Sequence, residues 1–200
     1  AGYDDCTRFC LVVFCRQHLL TREKTESSMN PQTEKQCDLL HVQRQTLARS
    51  IARWTENNPR FEADVPGLLL VRYEAPTQPT SGVYEPCICL VAQGAKRVML
   101  GGEEYVYDAN HYLISSVGLP VVANVVEASP EKPLLGLALK LDMRMLAQMM
   151  VDSNLPAPRS GRSERGMRVS EVSAQLLSAF QRLIDLQQDP QDIAVLSPLV

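Results

Sequence analysis

Histidine is scarce in this chain: three occur in 200 residues, His18, His41 and His111, and no two lie at ligand spacing. A metal-holding β-barrel shows a His-x-His pair on one strand face with Glu and His following, because alternate strand residues point the same way. That pattern is missing, so neither a catalytic metal nor another cofactor is expected. A Gly-x-Ser-x-Gly elbow, a phosphate loop and a dinucleotide fingerprint are also absent, and with them the sequence signatures of several large enzyme classes. Basic charge is in deficit. The formal net charge is −3, whereas a domain that grips phosphate backbones unaided is usually basic, since released counterions drive that binding. The longest apolar run near the start, Cys10 to Cys15, falls far short of the ~20 residues that span a bilayer. No membrane partner is expected.

What is present is ordinary globular composition, 45% hydrophobic and 22% charged. A chain of this length can bury roughly 70% of its unfolded surface in one core, so it needs no disulfide or metal staple. Of the six cysteines, Cys6, Cys10 and Cys15 are crowded at the start, and Cys87 and Cys89 share one strand face in an apolar run. They read as reduced thiols of a cytoplasmic protein. The Cys87/Cys89 pair lacks the further ligands that a tetrahedral site requires and reads as two small buried residues. The chain opens on Ala1, and Met29 begins a segment of different character. Residues 1–28 are accordingly expected to be an appendage or a misannotated start, and residues 29–200 the folded domain.

From Glu34 to Asn57, Leu40, Leu47, Ile51 and Trp54 recur at spacings of seven, four and three, which predicts an amphipathic helix stopped by Asn57, Asn58 and Pro59. Short apolar stretches then follow: Leu68–Glu74, Cys87–Gln93, Lys96–Leu100, Glu103–Asp108, His111–Ser116, Val121–Ala128 and Leu134–Asp142. Seven strands at close spacing predict a sandwich or barrel, mainly β with flanking helices. Brief turns at Gly94-Ala95, Gly101-Gly102, Asp108-Ala109-Asn110 and Ser129-Pro130-Glu131 predict that most neighbours pair antiparallel.

Asp142 is the expected N-cap of a short helix carrying Met145, Leu146, Met149 and Met150, read as core or as a subunit contact. Residues 154–166 read as a loop. Its arginines, Arg159, Arg162 and Arg165, together with Arg168, read as solvated charge, because no aromatics are interleaved with them. A further helix is expected from Ser170, with Val172, Leu176, Ala179, Phe180, Leu183 and Ile184 as its apolar stripe. Asp189-Pro190 resembles another helix start, and the abrupt end at Val200 predicts a further element downstream. Acidic residues such as Glu104, Asp108, Glu127 and Asp142 sit at turns or strand ends, where solvation and capping are their expected roles. No catalytic residue is assigned.

The string CICLVAQGAKRVMLGGEEYVYD at Cys87–Asp108, followed by HYLISSVGLPVVANVVEASPEKPLLGLALKLD, resembles the N-terminal domain of AraC-type bacterial transcription regulators. Its landmarks are Gln93-Gly94 before Lys96-Arg97, Leu100-Gly101 before Tyr105 and Tyr107-Asp108, Tyr112-Leu113 before Ser116-Val117, Leu119-Pro120-Val121, and Ala128-Ser129-Pro130-Glu131. The likeness runs from about Asp38 to Val200 and leaves residues 1 to about 28 uncovered. It implies a cupin-like (double-stranded β-helix, or jelly-roll) barrel that senses a small-molecule effector or mediates homodimerisation. A C-terminal DNA-binding half would follow near Val200, and DNA would be a partner only through that half.

A small barrel has room inside for side chains or one small ligand. Tyr73, Tyr105, Tyr107 and Tyr112 are the candidate ligand-binding residues; the alternative is that they are ordinary strand residues packed under the helices. Val172, Leu176, Phe180 and Leu183 are the candidate dimerisation residues. Rival readings are a barrel enzyme, an isomerase or dioxygenase, and a stand-alone dimerisation fragment.

Overall fold

The computed structural model describes residues 31–152, 166–189 and 191–193. The chain divides into two units, residues 1–34 and 35–200, and the described residues belong to the second apart from the first residues of its opening helix. The expected appendage at 1–28 and nearly all of the expected loop at 154–166 lie outside the described residues.

Ten strands and three helices are present among the described residues. Helix α1 runs Pro31–Thr55. Strands β1 (Arg60–Glu62), β2 (Leu68–Tyr73), β3 (Thr80–Tyr84), β4 (Cys87–Gln93), β5 (Ala95–Leu100), β6 (Glu103–Asp108), β7 (His111–Ser115), β8 (Leu119–Glu127) and β9 (Leu134–Lys140) follow. Helix α2 (Met143–Asp152), strand β10 (Met167–Glu171) and helix α3 (Ala174–Leu186) complete the order. The seven expected strands are all present, and β1, β3 and β10 join them.

The strands form two sheets, six-stranded β1-β2-β9-β4-β7-β10 and four-stranded β3-β8-β5-β6. Every ladder between described strands is antiparallel. Sequence neighbours nevertheless pair only at β1–β2 and β5–β6, which corrects the expectation that most adjacent strands form hairpins. From β2 to β9 the chain mostly passes from one sheet to the other, so the short connections are corners. At the β4–β5 corner Gly94 has φ +87°, and a Cβ there would stand 2.5 Å from the Glu127 carbonyl oxygen. Only glycine turns the chain in that space. Gly101-Gly102 is a true hairpin, both residues at positive φ as a type I′ turn needs.

Period-two alternation sorts side chains into two cores. Leu68 and Leu70 of β2, Leu90 and Ala92 of β4, and Leu135 and Leu137 of β9 share a buried cluster with Leu47 and Ile51 of α1 and Leu177, Phe180 and Ile184 of α3. The leucine face of β9 therefore meets helices, while its opposite face looks between the sheets. There Cys89, Val91, Val98, Leu100, Tyr107, Leu113, Val121 and Val125 make the second core. The helices are clamped to each other by Gln43 Nε2 donating to Ser178 Oγ at 3.1 Å and Gln181 Nε2 to Ser50 Oγ at 2.9 Å. Trp54 closes the base of α1 by stacking on Phe61, centroids 5.3 Å apart.

The last helix starts later than its apolar stripe implied. Residues 167–171, including Ser170, pair with β7, and Ser173 is the cap, its hydroxyl accepting from Leu176 N at 3.2 Å. Val172 thus precedes the helix, and Arg168 belongs to β10. Asp142 caps α2 as expected, Oδ1 accepting from Arg144 N at 2.9 Å and Met145 N at 3.2 Å. On α2, Met143, Met145 and Val151 are exposed and Leu146 is half-buried, while the side chains of Met149 and Met150 lie outside the described ones.

Candidate ligand cavity between the sheets

Strand β9 turns small residues, Gly136 and Ala138, toward the space between the sheets, where a larger residue would fill it. Gly136 could not readily be larger, since its Cβ would sit 3.0 Å from the Leu90 carbonyl oxygen. The result is a cavity of about 570 Å³ lined by β1, β2, β3, β4, β5, β6 and β9. That volume lies within the range of pockets that hold small organic ligands.

Leu69, Val71, Leu134 and Ala138 give the cavity apolar walls. Its polar groups include Tyr73 of β2, Tyr84 at the end of β3, Cys87 and Cys89 of β4, Lys96 of β5 and Tyr107 of β6, with the charged Arg60, Glu62, Glu85 and Lys140 also on its lining. Lys96 shares the inward face of β5 with Val98 and Leu100, and its Nζ lies 5.7 Å from the centre of the Tyr84 ring. Burial works to lower the Lys96 pKa, but Tyr84, Cys89 and Tyr73 around it outweigh that, and the net direction is upward. Lys96 is therefore a held ammonium at neutral pH. At the cavity's edge Glu85 is paired with Lys140 at 2.6 Å, so these two charges offset each other.

Two hydroxyls face the same space. Tyr84 Oη is buried without a hydrogen bond of full geometry, and Lys96 and Tyr107 both lie close enough to interact with it. Burial, opposed by Lys96, holds the Tyr84 hydroxyl above its ordinary pKa. Burial pushes Tyr107, only 2% exposed, well above its own. Both are neutral donors at physiological pH. An unpaired buried hydroxyl costs about 1–3 kcal/mol, which a ligand acceptor atom would recover.

Of the four tyrosines singled out from sequence, Tyr73 and Tyr107 line this cavity. Tyr105 packs against the same core without lining the space, and its hydroxyl donates to Glu103 Oε2 at 2.8 Å. Tyr112 faces the opposite side of the sheet and packs against the helix-covered core, so its place in the pocket is corrected. The reason is register: Tyr112 stands opposite Leu90, and Leu113 opposite Cys89. Phe180 and Leu183 are buried in the chain's own core, with Val172 and Leu176 packed partly against it. The inward side chains missed from sequence are Tyr84 and Lys96. His111 stands outside the cavity, its Nδ1 2.8 Å from Asp108 Oδ1 at the β6–β7 corner. Among the described residues no group of three His, Cys, Asp or Glu side chains is placed to hold a metal ion. None of the described helices is long and apolar enough to cross a membrane.

Two antiparallel sheets wrapped as a jelly roll around an internal cavity, with helices packed on the larger sheet, define a cupin-like domain. Residues 64–200 match the family model for the AraC-type transcriptional regulator N-terminus. The chain belongs to that family. No curated protein matches the sequence. Among solved structures it is similar to a ToxT variant from Vibrio cholerae at 8% identity, covering 69% of this chain and 56% of that one, with a TM-score of 0.43. The AraC-like transcriptional activator CuxR shares 11% identity, with 70% and 50% covered and a TM-score of 0.44. A cupin-2 domain protein from Shewanella frigidimarina shares 10%, with 44% and 89% covered and a TM-score of 0.31. The chain thus spans about half the length of the two regulators.

Proposed function

We propose that this domain senses a small effector in the cavity between its sheets and passes the bound state to a DNA-binding domain of the same cytoplasmic regulator. It is a binding domain, and catalysis is no part of the reading. The observation that carries it is the convergence of the buried Lys96 ammonium and the Tyr84 hydroxyl on a cavity that also has apolar walls from Leu69, Val71, Leu134 and Ala138. The effector chemistry that fits is an apolar body bearing one anionic or strongly accepting group, a monocarboxylate being the simplest case. A charge-assisted hydrogen bond contributes about 1.5–3 kcal/mol.

The test is a melting screen of aliphatic and aromatic monocarboxylates. A ligand that binds only the folded state at about 100 times its Kd adds about 2.7 kcal/mol, or roughly 5–11 °C for a chain of this size. Lys96→Met is expected to weaken the best ligand about tenfold to a hundredfold while leaving the unliganded melt almost unchanged. Equal stabilisation of both proteins by every active carboxylate would refute the assignment of Lys96.

Two copies are proposed to pair through α3. Phe180 and Leu183 fix the helix to its own sheet, while the half-buried Val172 and Leu176 lie at its exposed margin. Sedimentation should show a dimer that Leu176→Glu converts to monomer; a wild-type monomer at all concentrations would remove this part of the proposal.

A further inference from the structure

The cavity holds chemistry that effector binding does not use. Cys87 and Cys89 alternate on β4, so both thiols point between the sheets, with Sγ atoms 3.7 Å apart. Cys89 is buried, whereas Cys87 is half-buried and lines the cavity with Lys96.

We propose that Cys87 is a nucleophilic modification site that captures α,β-unsaturated carbonyl compounds inside the cavity, with Cys89 and Lys96 as its positioning residues. Three features support this. The Cys89 S–H is within hydrogen-bonding distance of Cys87 Sγ and stabilises a thiolate there, which with the Lys96 charge holds the Cys87 thiol below its ordinary range against burial and Glu85. The same bond, with burial, pushes Cys89 well up; exposure separates the two thiols, since Cys87 is the half-buried one that a ligand can reach and Cys89 is buried behind it. Leu69, Val71, Leu134 and Ala138 give a small unsaturated ketone or aldehyde an apolar wall, and Lys96 on the same lining supplies a cation for its carbonyl oxygen.

The step is balanced without an oxidant. Cys87 gives its proton to solvent, and its sulfur forms a C–S bond to the β-carbon of the electrophile. The C=C π pair moves to give an enolate, which takes a proton from water. An in-strand Cys87–Cys89 disulfide is a poorer outcome. Residues two apart on an extended strand have Cα atoms about 6.6 Å apart, near the upper limit for a disulfide, where strain makes the bond easily reduced.

The inference concerns thiol chemistry and stands separately from effector sensing. The chain is incubated with methyl vinyl ketone in the presence of N-acetylcysteine, and the adduct on the Cys87 peptide is followed by mass spectrometry. Cys87 is expected to react at least about fivefold faster than N-acetylcysteine at neutral pH, the excess reflecting its larger thiolate fraction. Cys89→Ala and Lys96→Met should each slow it, and Cys89→Ser, which keeps a donor, should restore most of the rate. A Cys87 rate no greater than that of the free thiol overturns the proposal, as does a rate unchanged in both Cys89→Ala and Lys96→Met.

Discussion

Replacing Phe180 with alanine is expected to cost about 3–5 kcal/mol, lowering the melting temperature by roughly 6–20 °C. The side chain is 2% exposed and lies where α3 meets the larger sheet, in one cluster with Leu47, Ile51, Leu70 and Leu137. Truncation removes the ring from contacts supplied by α1, α3 and the sheet together, and the Gln43–Ser178 and Gln181–Ser50 bonds would keep the elements from closing the hole. The ring therefore leaves a cavity as well as losing its transfer energy. A loss under about 1 kcal/mol, measured by denaturant titration, would mean that α3 is not packed on the sheet in solution. The distinction bears on dimerisation. Were Phe180 the anchor of a dimer contact alone, the substitution would change association and spare the monomer's stability.

Filling the cavity is expected to have the second large effect. Ala138 stands opposite Cys89 and Leu69 on the inward face of β9. A phenylalanine at that position projects into the 570 Å³ space. Overpacking a full core costs about 1–3 kcal/mol, but open space receives this ring, so the melt of Ala138→Phe should stay within a few degrees of wild type. The stabilisation by a saturating carboxylate, about 2.7 kcal/mol, should vanish. Retention of the full ligand response would place the binding site elsewhere, for instance in the groove of His41, Arg44 and Arg49 against Asp108 and Lys132.

Much of the frame was legible because period-two alternation and turn residues are local signals. Leu135, Leu137 and Leu139 share the helix-covered face of β9, and Tyr105 and Tyr107 share one side of β6, as alternation requires. Which side of a strand is the ligand side is not local, and Tyr112 shows it: both faces of β7 bury apolar residues, one under helices and one between sheets. Strand β3 escaped because Thr80-Ser81-Gly82 reads as turn and the strand is almost wholly exposed, Val83 at 69%. Its last residue is Tyr84, so missing an edge strand also lost a main polar group of the site. Lys96 stands in the family string, but its inward aim follows from the two-sheet wrap, which brings β3 and β5 together across β8.

Amide exchange, with and without the carboxylate that raises the melting temperature most, tests most directly where the effector sits. The account predicts slower exchange in Thr80–Leu100 and Leu134–Lys140, with α1 and α3 little changed. Protection confined to the helices, leaving those strands as they were, would contradict it.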